Sequence, residues 1–101
     1  MDQGGHASRA LVFNAHGESV GSATVAITTF RSGKYVEHDA NQLVESLQLA
    51  AQQVIEKLAD QRTNIVSAAL ATQRSNMLCW RRSDNKPLSP VISWQDRRAA
   101  D

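Results

Sequence analysis

A chain of 101 residues carrying a net charge of +1 has room for one domain with a modest core. That charge gives no electrostatic hold on nucleic acid or an anionic membrane, and 42% hydrophobic with 21% charged residues is ordinary for a folded soluble domain rather than a disordered one. The single cysteine, Cys79, rules out an intrachain disulfide, and beside Trp80 it is expected to be reduced and half-buried.

Residues 8–14 read as a strand with two apolar faces, Leu11 and Phe13 on one and Ala10 and Val12 on the other. Asn14-Ala15-His16-Gly17 is a hairpin turn with Gly17 at the left-handed position, and residues 19–29 return as a strand rich in β-branched side chains. Residues 31–34 form an exposed loop. One long helix is predicted over residues 40–60. Asp39 is its N-cap, Gln42 completes a capping box, and Leu43, Leu47, Ala51, Val54 and Leu58 form its apolar stripe, widened by Val44 and Ile55. Residues 65–72 read as a strand buried on both faces. A further strand over 76–82, a turn at 83–86, a returning strand over 87–95 and the first turn of a helix from Arg97 complete the chain. Helix followed by buried strand is the pattern of an α/β fold.

The chemistry-bearing stretch is Asp2 to Phe13, DQGGHASRALVF. An acidic residue and a Gly-Gly pair ahead of a strand can form a phosphate turn, since no Cβ blocks the approach of backbone N–H groups. The same residues also suit a plain hairpin. In the phosphate reading Asp2 orients Mg²⁺ through water, Arg9 pairs with phosphate oxygens, and the His6 imidazole faces phosphate. Arg74 follows a predicted strand end, where ligands bind in open α/β sheets, or is a surface arginine. Trp94 stacks on a ligand or fills core. Asp96 with Arg97 and Arg98 reads as a substrate or structural pair, or as a solvated helix start. His6, His16 and His38 have no metal-ligand spacing; His16 suits the turn, and His38 with Glu37 and Asp39 suits the helix entry. No P-loop of the G-x-x-x-x-G-K-[ST] type and no nucleophilic triad is present. The pairs Arg81-Arg82 and Arg97-Arg98 lack the aromatic interleaving of a nucleic-acid surface.

Taken with the opening stretch, Lys34 to Asp39 (KYVEHD), Ala71 to Ser75 (ATQRS) and Val91 to Arg98 (VISWQDRR) resemble, in order and spacing, the opening of the FGGY family of carbohydrate kinases, nearest in pattern to its glycerol kinase branch. The resemblance runs over nearly the whole chain. It implies an α/β fold in which a mixed β-sheet with one long helix forms part of an actin-like ATPase (ribonuclease H-like) domain. It also implies transfer of the γ-phosphoryl group of ATP, with Mg²⁺, to a sugar or polyol hydroxyl. Carried onto this sequence, it makes Asp2, Gly4, Gly5, His6 and Arg9 the nucleotide side, with Asp2 toward the metal. Arg74 becomes a contact to substrate hydroxyls and Trp94 an apolar wall for the sugar carbons.

The chain departs from the family pattern in three places. Gly5, His6 and Ala7 stand where Thr-Thr-Ser is found, Ser75 stands where Glu follows the arginine, and Lys34-Tyr35 replaces Pro-Trp. The expected reading is residues 1–101 as a partial N-terminal kinase domain, its first strand and C-terminal remainder missing. The general base, and so any catalytic residue, is expected outside this chain, and the isolated chain is expected to be inactive. The expected partners are the substrate and the remainder of the kinase, with no nucleic acid and no membrane, and a homo-oligomer allowed. Met1 leads straight into polar residues and no run reaches the ~18 apolar residues of a membrane span, so a cytoplasmic location is expected. A rival reading is a non-catalytic, degenerate kinase fold acting in sugar binding or regulation. A third is a small independent interaction module.

Overall fold

The computed structural model describes residues 1–100. Its elements run β1 (Asp2–Gln3), β2 (Ala7–Phe13), β3 (Ser19–Ala26), β4 (Phe30–Ser32), β5 (Tyr35–His38), α1 (Ala40–Leu58), a 3-10 helix (Ala59–Asn64), β6 (Ala71–Thr72) and β7 (Val91–Ile92). A mixed four-stranded sheet has the order β3-β2-β1-β6, and a three-stranded sheet has the order β4-β5-β7. The pairings β1–β2 and β2–β3 are antiparallel, whereas β1 and β6 run parallel, with Asp2 opposite Ala71 and Gln3 opposite Thr72. The long crossover a parallel pair requires is supplied by α1, which packs on β2 and β3.

The β2–β3 hairpin forms as its sequence predicts. The Asn14 side chain accepts from the N–H of His16 (2.9 Å) and Glu18 (3.0 Å), and Gly17 takes φ 78°, a conformation available to glycine without Cβ strain. Along β2, Ser8 and Ala10 face the helix while Arg9, Leu11 and Phe13 lie on the exposed face. The core consists of small side chains, Ala10, Ala23 and Ala50 with Val54, and these let α1 approach the sheet closely.

Asp39 caps α1 as expected, its carboxylate accepting from the Gln42 N–H at 2.8 Å. The reciprocal half of the capping box does not form. The Gln42 side chain turns to the neighbouring strand end, accepting from the Thr28 N–H (2.8 Å) and donating to Thr28 Oγ1 (3.2 Å). The buried stripe is Leu43, Ser46, Ala50, Val54 and Leu58. Leu43, Val54 and Leu58 are buried as predicted, while in the middle of the helix Ser46 and Ala50 take the buried positions expected for Leu47 and Ala51. Leu47 and Ala51 are half-buried, and Val44 and Ile55 are exposed. A hydrogen bond between the fully buried Ser8 Oγ and Ser46 Oγ, 2.7 Å, draws the polar Ser46 to the centre of the interface. The helix ends at Leu58 because Ala59 leaves the helical region (φ 50°), and a 3-10 helix follows.

The largest correction concerns residues 65–72. Only Ala71–Thr72 pairs as a strand, and it is exposed. Ile65, Val66 and Leu70 are exposed too, Val66 to 95%. They read as a strand buried on both faces because they are apolar, yet no element of the described chain packs over them. Residues 76–95 form a looser hairpin than predicted, held by bridges Met77–Ile92 and Trp80–Pro87, and β7 is also the partner of β5. Cys79 is exposed, not half-buried. The segment after Trp94 makes turns rather than a helix start, with the Ala100 N–H on the Arg97 carbonyl. The sequence also gave no sign of the strand β5.

Candidate functional site

Parallel pairing of β1 with β6 sets two strand ends side by side. β1 stops at Gln3 and runs into Gly4-Gly5; β6 stops at Thr72 and runs into Gln73-Arg74-Ser75. Carboxyl ends of parallel strands are where open α/β sheets hold ligands. The Gly4 N–H donates to the Ala7 carbonyl at 2.9 Å, so the glycines do form a tight hairpin. Gly5 has a further reason to lack a side chain, since a Cβ there would stand 3.1 Å from Gln73 Nε2. The two strand-end loops thus approach each other at Gly5 and Gln73.

Asp2 lies directly opposite Arg9 across β1 and β2, without forming an ion pair among the described residues. His6 is exposed, and its carbonyl accepts from the Ile27 N–H at 3.0 Å. Arg74 and Trp94, 20 residues apart in sequence, line one open depression of about 560 Å³ together with Gln73 and Ser75. Trp94 is 60% exposed in this chain. Its position is held by its N–H, which donates to Asn76 Oδ1 at 2.9 Å. Ser75 adopts φ 65°, an uncommon conformation for a residue with a Cβ, of the kind that clusters at functional sites.

Asp96 and Arg98 have a structural role. Arg98 Nε (2.8 Å) and Nη2 (2.8 Å) fork onto the Asp96 carboxylate, which also accepts the Val36 N–H at 2.6 Å. Nη2 further reaches Glu37, and the guanidinium lies 4.6 Å from the centre of the Tyr35 ring. Hydrogen bonds from the Arg98 side chain, helped by the Val36 N–H, hold the Asp96 carboxyl far below the usual carboxylate range. Asp96, and secondarily Glu37, hold the Arg98 guanidinium firmly protonated. The stability Asp96 supplies is therefore complete above the ordinary carboxylate range, and it is lost progressively as the pH falls from that range to the depressed value. The cluster locks the segment after β7 against β5.

Gln73 and Asn76 were missed by the sequence reading. Short amides in loops carry no pattern, and it was Arg74, through its place after a strand end and the resemblance over ATQRS, that pointed to this neighbourhood. His38, read as a helix-entry residue, stands just before the Asp39 cap of α1 and is also the buried last residue of β5, its Nδ1 3.2 Å from the Thr28 carbonyl. Among the described residues no cluster of three or more His, Cys, Asp or Glu side chains could hold a metal ion by itself, and no helix is long and apolar enough to cross a membrane.

The profile of the FGGY family of carbohydrate kinases, N-terminal domain, matches residues 1–101. The chain is 38% identical to a glycerol kinase from Synechocystis sp., over 99% of this chain and 20% of that protein. It is 34% identical to a glycerol kinase from Sinorhizobium fredii with the same coverage of both. The fold matches a xyloylose kinase from Brucella ovis (TM-score 0.89, 21% identity, 97% of this chain and 20% of that one). It also matches Plasmodium falciparum glycerol kinase with ADP (TM-score 0.83, 22% identity, 96% of this chain and 20% of that one). The chain therefore spans about a fifth of the length of these relatives. Its mixed sheet and single long helix are part of the actin-like ATPase fold, and it belongs to the FGGY family of carbohydrate kinases, of which it carries N-terminal-domain sequence.

Proposed function

We propose that the chain is the N-terminal part of a cytoplasmic, ATP-dependent carbohydrate or polyol kinase and that it carries half of a phosphoryl-transfer cleft. The observation that supports this most is the approach of the Gly4-Gly5 turn to Gln73, beside the depression shared by Arg74 and Trp94. Phosphoryl transfer needs positioning and charge stabilisation more than covalent chemistry. In this reading backbone N–H groups of Gly4-Gly5 and the imidazole of His6 face the nucleotide phosphates, and Arg9 pairs with phosphate oxygens. Arg74 donates to acceptor hydroxyls, and Trp94 walls the acceptor's carbon chain.

Asp2 is a single carboxylate on the short strand β1, one residue before its end, with no side-chain hydrogen bond among the described residues. That suits Mg²⁺, which keeps several waters and takes one or two carboxylates plus substrate phosphates. When bound, Mg²⁺ neutralises charge on the transferring phosphate. The acceptor's proton goes to a base supplied by the remainder of the kinase. The isolated 101-residue chain is accordingly inactive, and measurable ATP-dependent phosphorylation of any polyol by it would sink the proposal.

In the polypeptide that carries this chain, Arg74→Ala removes a charged donor. Such bonds contribute about 1.5–3 kcal/mol, so kcat/KM for the acceptor should fall roughly 10- to 200-fold, with the KM for ATP little changed. The reverse pattern, with ATP affinity lost and the acceptor unaffected, would move Arg74 to the nucleotide side. The replacements at Gly5, His6, Ala7 and Ser75 motivate the second reading, a sugar-binding regulator without catalysis. Calorimetric titration with Mg-ATP separates the two, since the regulator gives no nucleotide binding.

A further inference from the structure

Asn76 does not line the depression, yet two groups that do are hung from its side chain. Its Oδ1 accepts the Trp94 N–H at 2.9 Å, and its Nδ2 donates to Gln73 Oε1 at 3.3 Å. The polarity of this chain of bonds has one solution. A backbone N–H can only donate, so Asn76 must offer Oδ1 to Trp94. Nδ2 is then left for Gln73, which must accept through Oε1. That turns Gln73 Nε2 toward Gly5, where it sits 3.1 Å from the place a Cβ would occupy. Flipping either amide breaks a bond or opposes like dipoles. The neighbouring residues hold Asn76 from both sides. Ser75 turns the chain at φ 65°, and Met77 exchanges both backbone hydrogen bonds with Ile92 at 2.9 and 2.8 Å.

We propose that Asn76 is a positioning residue that sets the spacing between the glycine turn and the Trp94 wall, and through it the fit of the acceptor. The proposal deepens the kinase reading and rests on it for its kinetic consequence; its structural half stands apart. Asn76 acts only through Gln73 and Trp94. Losing it should therefore loosen acceptor binding and leave the chemical step alone, a separation between KM and kcat that a general folding defect does not produce.

The test uses the full polypeptide carrying this chain, with its best acceptor from glycerol, D-xylulose and D-gluconate. Asn76→Ala is expected to raise the acceptor KM roughly three- to tenfold, the range for one lost hydrogen bond, with kcat and the KM for ATP within about twofold of the parent. Amide hydrogen exchange at Trp94, which needs no acceptor, should speed up by roughly tenfold or more. Asn76→Asp keeps an oxygen for the Trp94 N–H while Gln73 turns to donate, so slow exchange and a near-parental KM are expected. This second variant also decides the matter if the alanine variant does not fold. Unchanged Trp94 exchange in Asn76→Ala, or fast exchange in Asn76→Asp, overturns the proposal. An acceptor KM unmoved by Asn76→Ala but raised by Arg74→Ala overturns it and spares the site reading. An acceptor KM unmoved by Arg74→Ala overturns the site reading and the kinetic half of the proposal together, whatever the Trp94 amide does.

Discussion

The interface between α1 and the β1–β3 sheet buries its apolar residues, whereas most apolar residues of 65–95, Val91 excepted, are exposed, as are Leu11, Phe13, Val44 and Ile55 on the outer faces of β2 and α1. In the interface, Ala10, Ala23, Ala50 and Val54 are sealed between helix and sheet. In residues 65–95, Val66, Leu70, Met77, Trp80, Leu88 and Trp94 all stand exposed. The chain's radius of gyration is 16.0 Å, against about 13 Å for a compact domain of 100 residues, so this chain is more extended than a compact domain of its size. Apolar character therefore marks the surfaces that can be covered; burial depends on a second element arriving to cover them.

The contrast is tested most severely at Ala50, which has no solvent exposure. Ala50→Asp places an unpaired charge between helix and sheet, and a loss of about 3–5 kcal/mol is expected, the scale of an uncompensated buried charge. Trp80→Asp in the hairpin, at a side chain 52% exposed, should cost less in the 101-residue chain, about 1–2 kcal/mol, from the part of the ring that is covered. Denaturant midpoints for the two variants measure the difference, and equal losses would mean that the hairpin is packed after all.

The Ser8–Ser46 bond gives the next effect. Ser46→Ala leaves the Ser8 hydroxyl buried without its partner and should cost about 1–3 kcal/mol. The double variant Ser8→Ala with Ser46→Ala should recover much of that loss, because two apolar groups then meet. A double variant as unstable as the sum of the singles would show that the pair is not coupled, and that something else sets the rotation of α1.

How much of this was legible in the sequence follows the range of each interaction. Gly17 and Asp39 act within three residues of themselves, and the turn and helix start they predict both form. The ends of the α1 stripe, Leu43, Val54 and Leu58, were legible; its middle was not, because Ser46 faces inward toward Ser8, 38 residues away. The strand β5 went unread because it is polar at Glu37 and His38 and is held by β4 and β7, which pair with it only in the fold. Residues 65–72 were overread because composition alone was taken to imply a cover. At the candidate site, strand-end logic and the resemblance pointed to Gly4, Gly5 and Arg74. The Gln73–Asn76–Trp94 chain of bonds carried no signal, because loop amides show their partners only in three dimensions.

Smaller effects sharpen the same boundary. Asp39→Ala removes the α1 cap and should cost about 1 kcal/mol, within the 0.5–2 kcal/mol range for such losses. Asp39→Asn, which can still accept from the Gln42 N–H, should recover most of it.

The smallest effect belongs to Val66. In the 101-residue chain Val66→Ser should change stability by less than about 0.5 kcal/mol, because a side chain 95% exposed has little apolar area to lose. In a longer polypeptide that covers this segment the same substitution should cost about 1–3 kcal/mol, from lost burial and a hydroxyl left without a partner. Measured in both, one substitution reports whether residues 65–70 are a solvent-facing connection or a surface awaiting its cover. A cost above about 2 kcal/mol in the 101-residue chain itself would erase the contrast between the two regions.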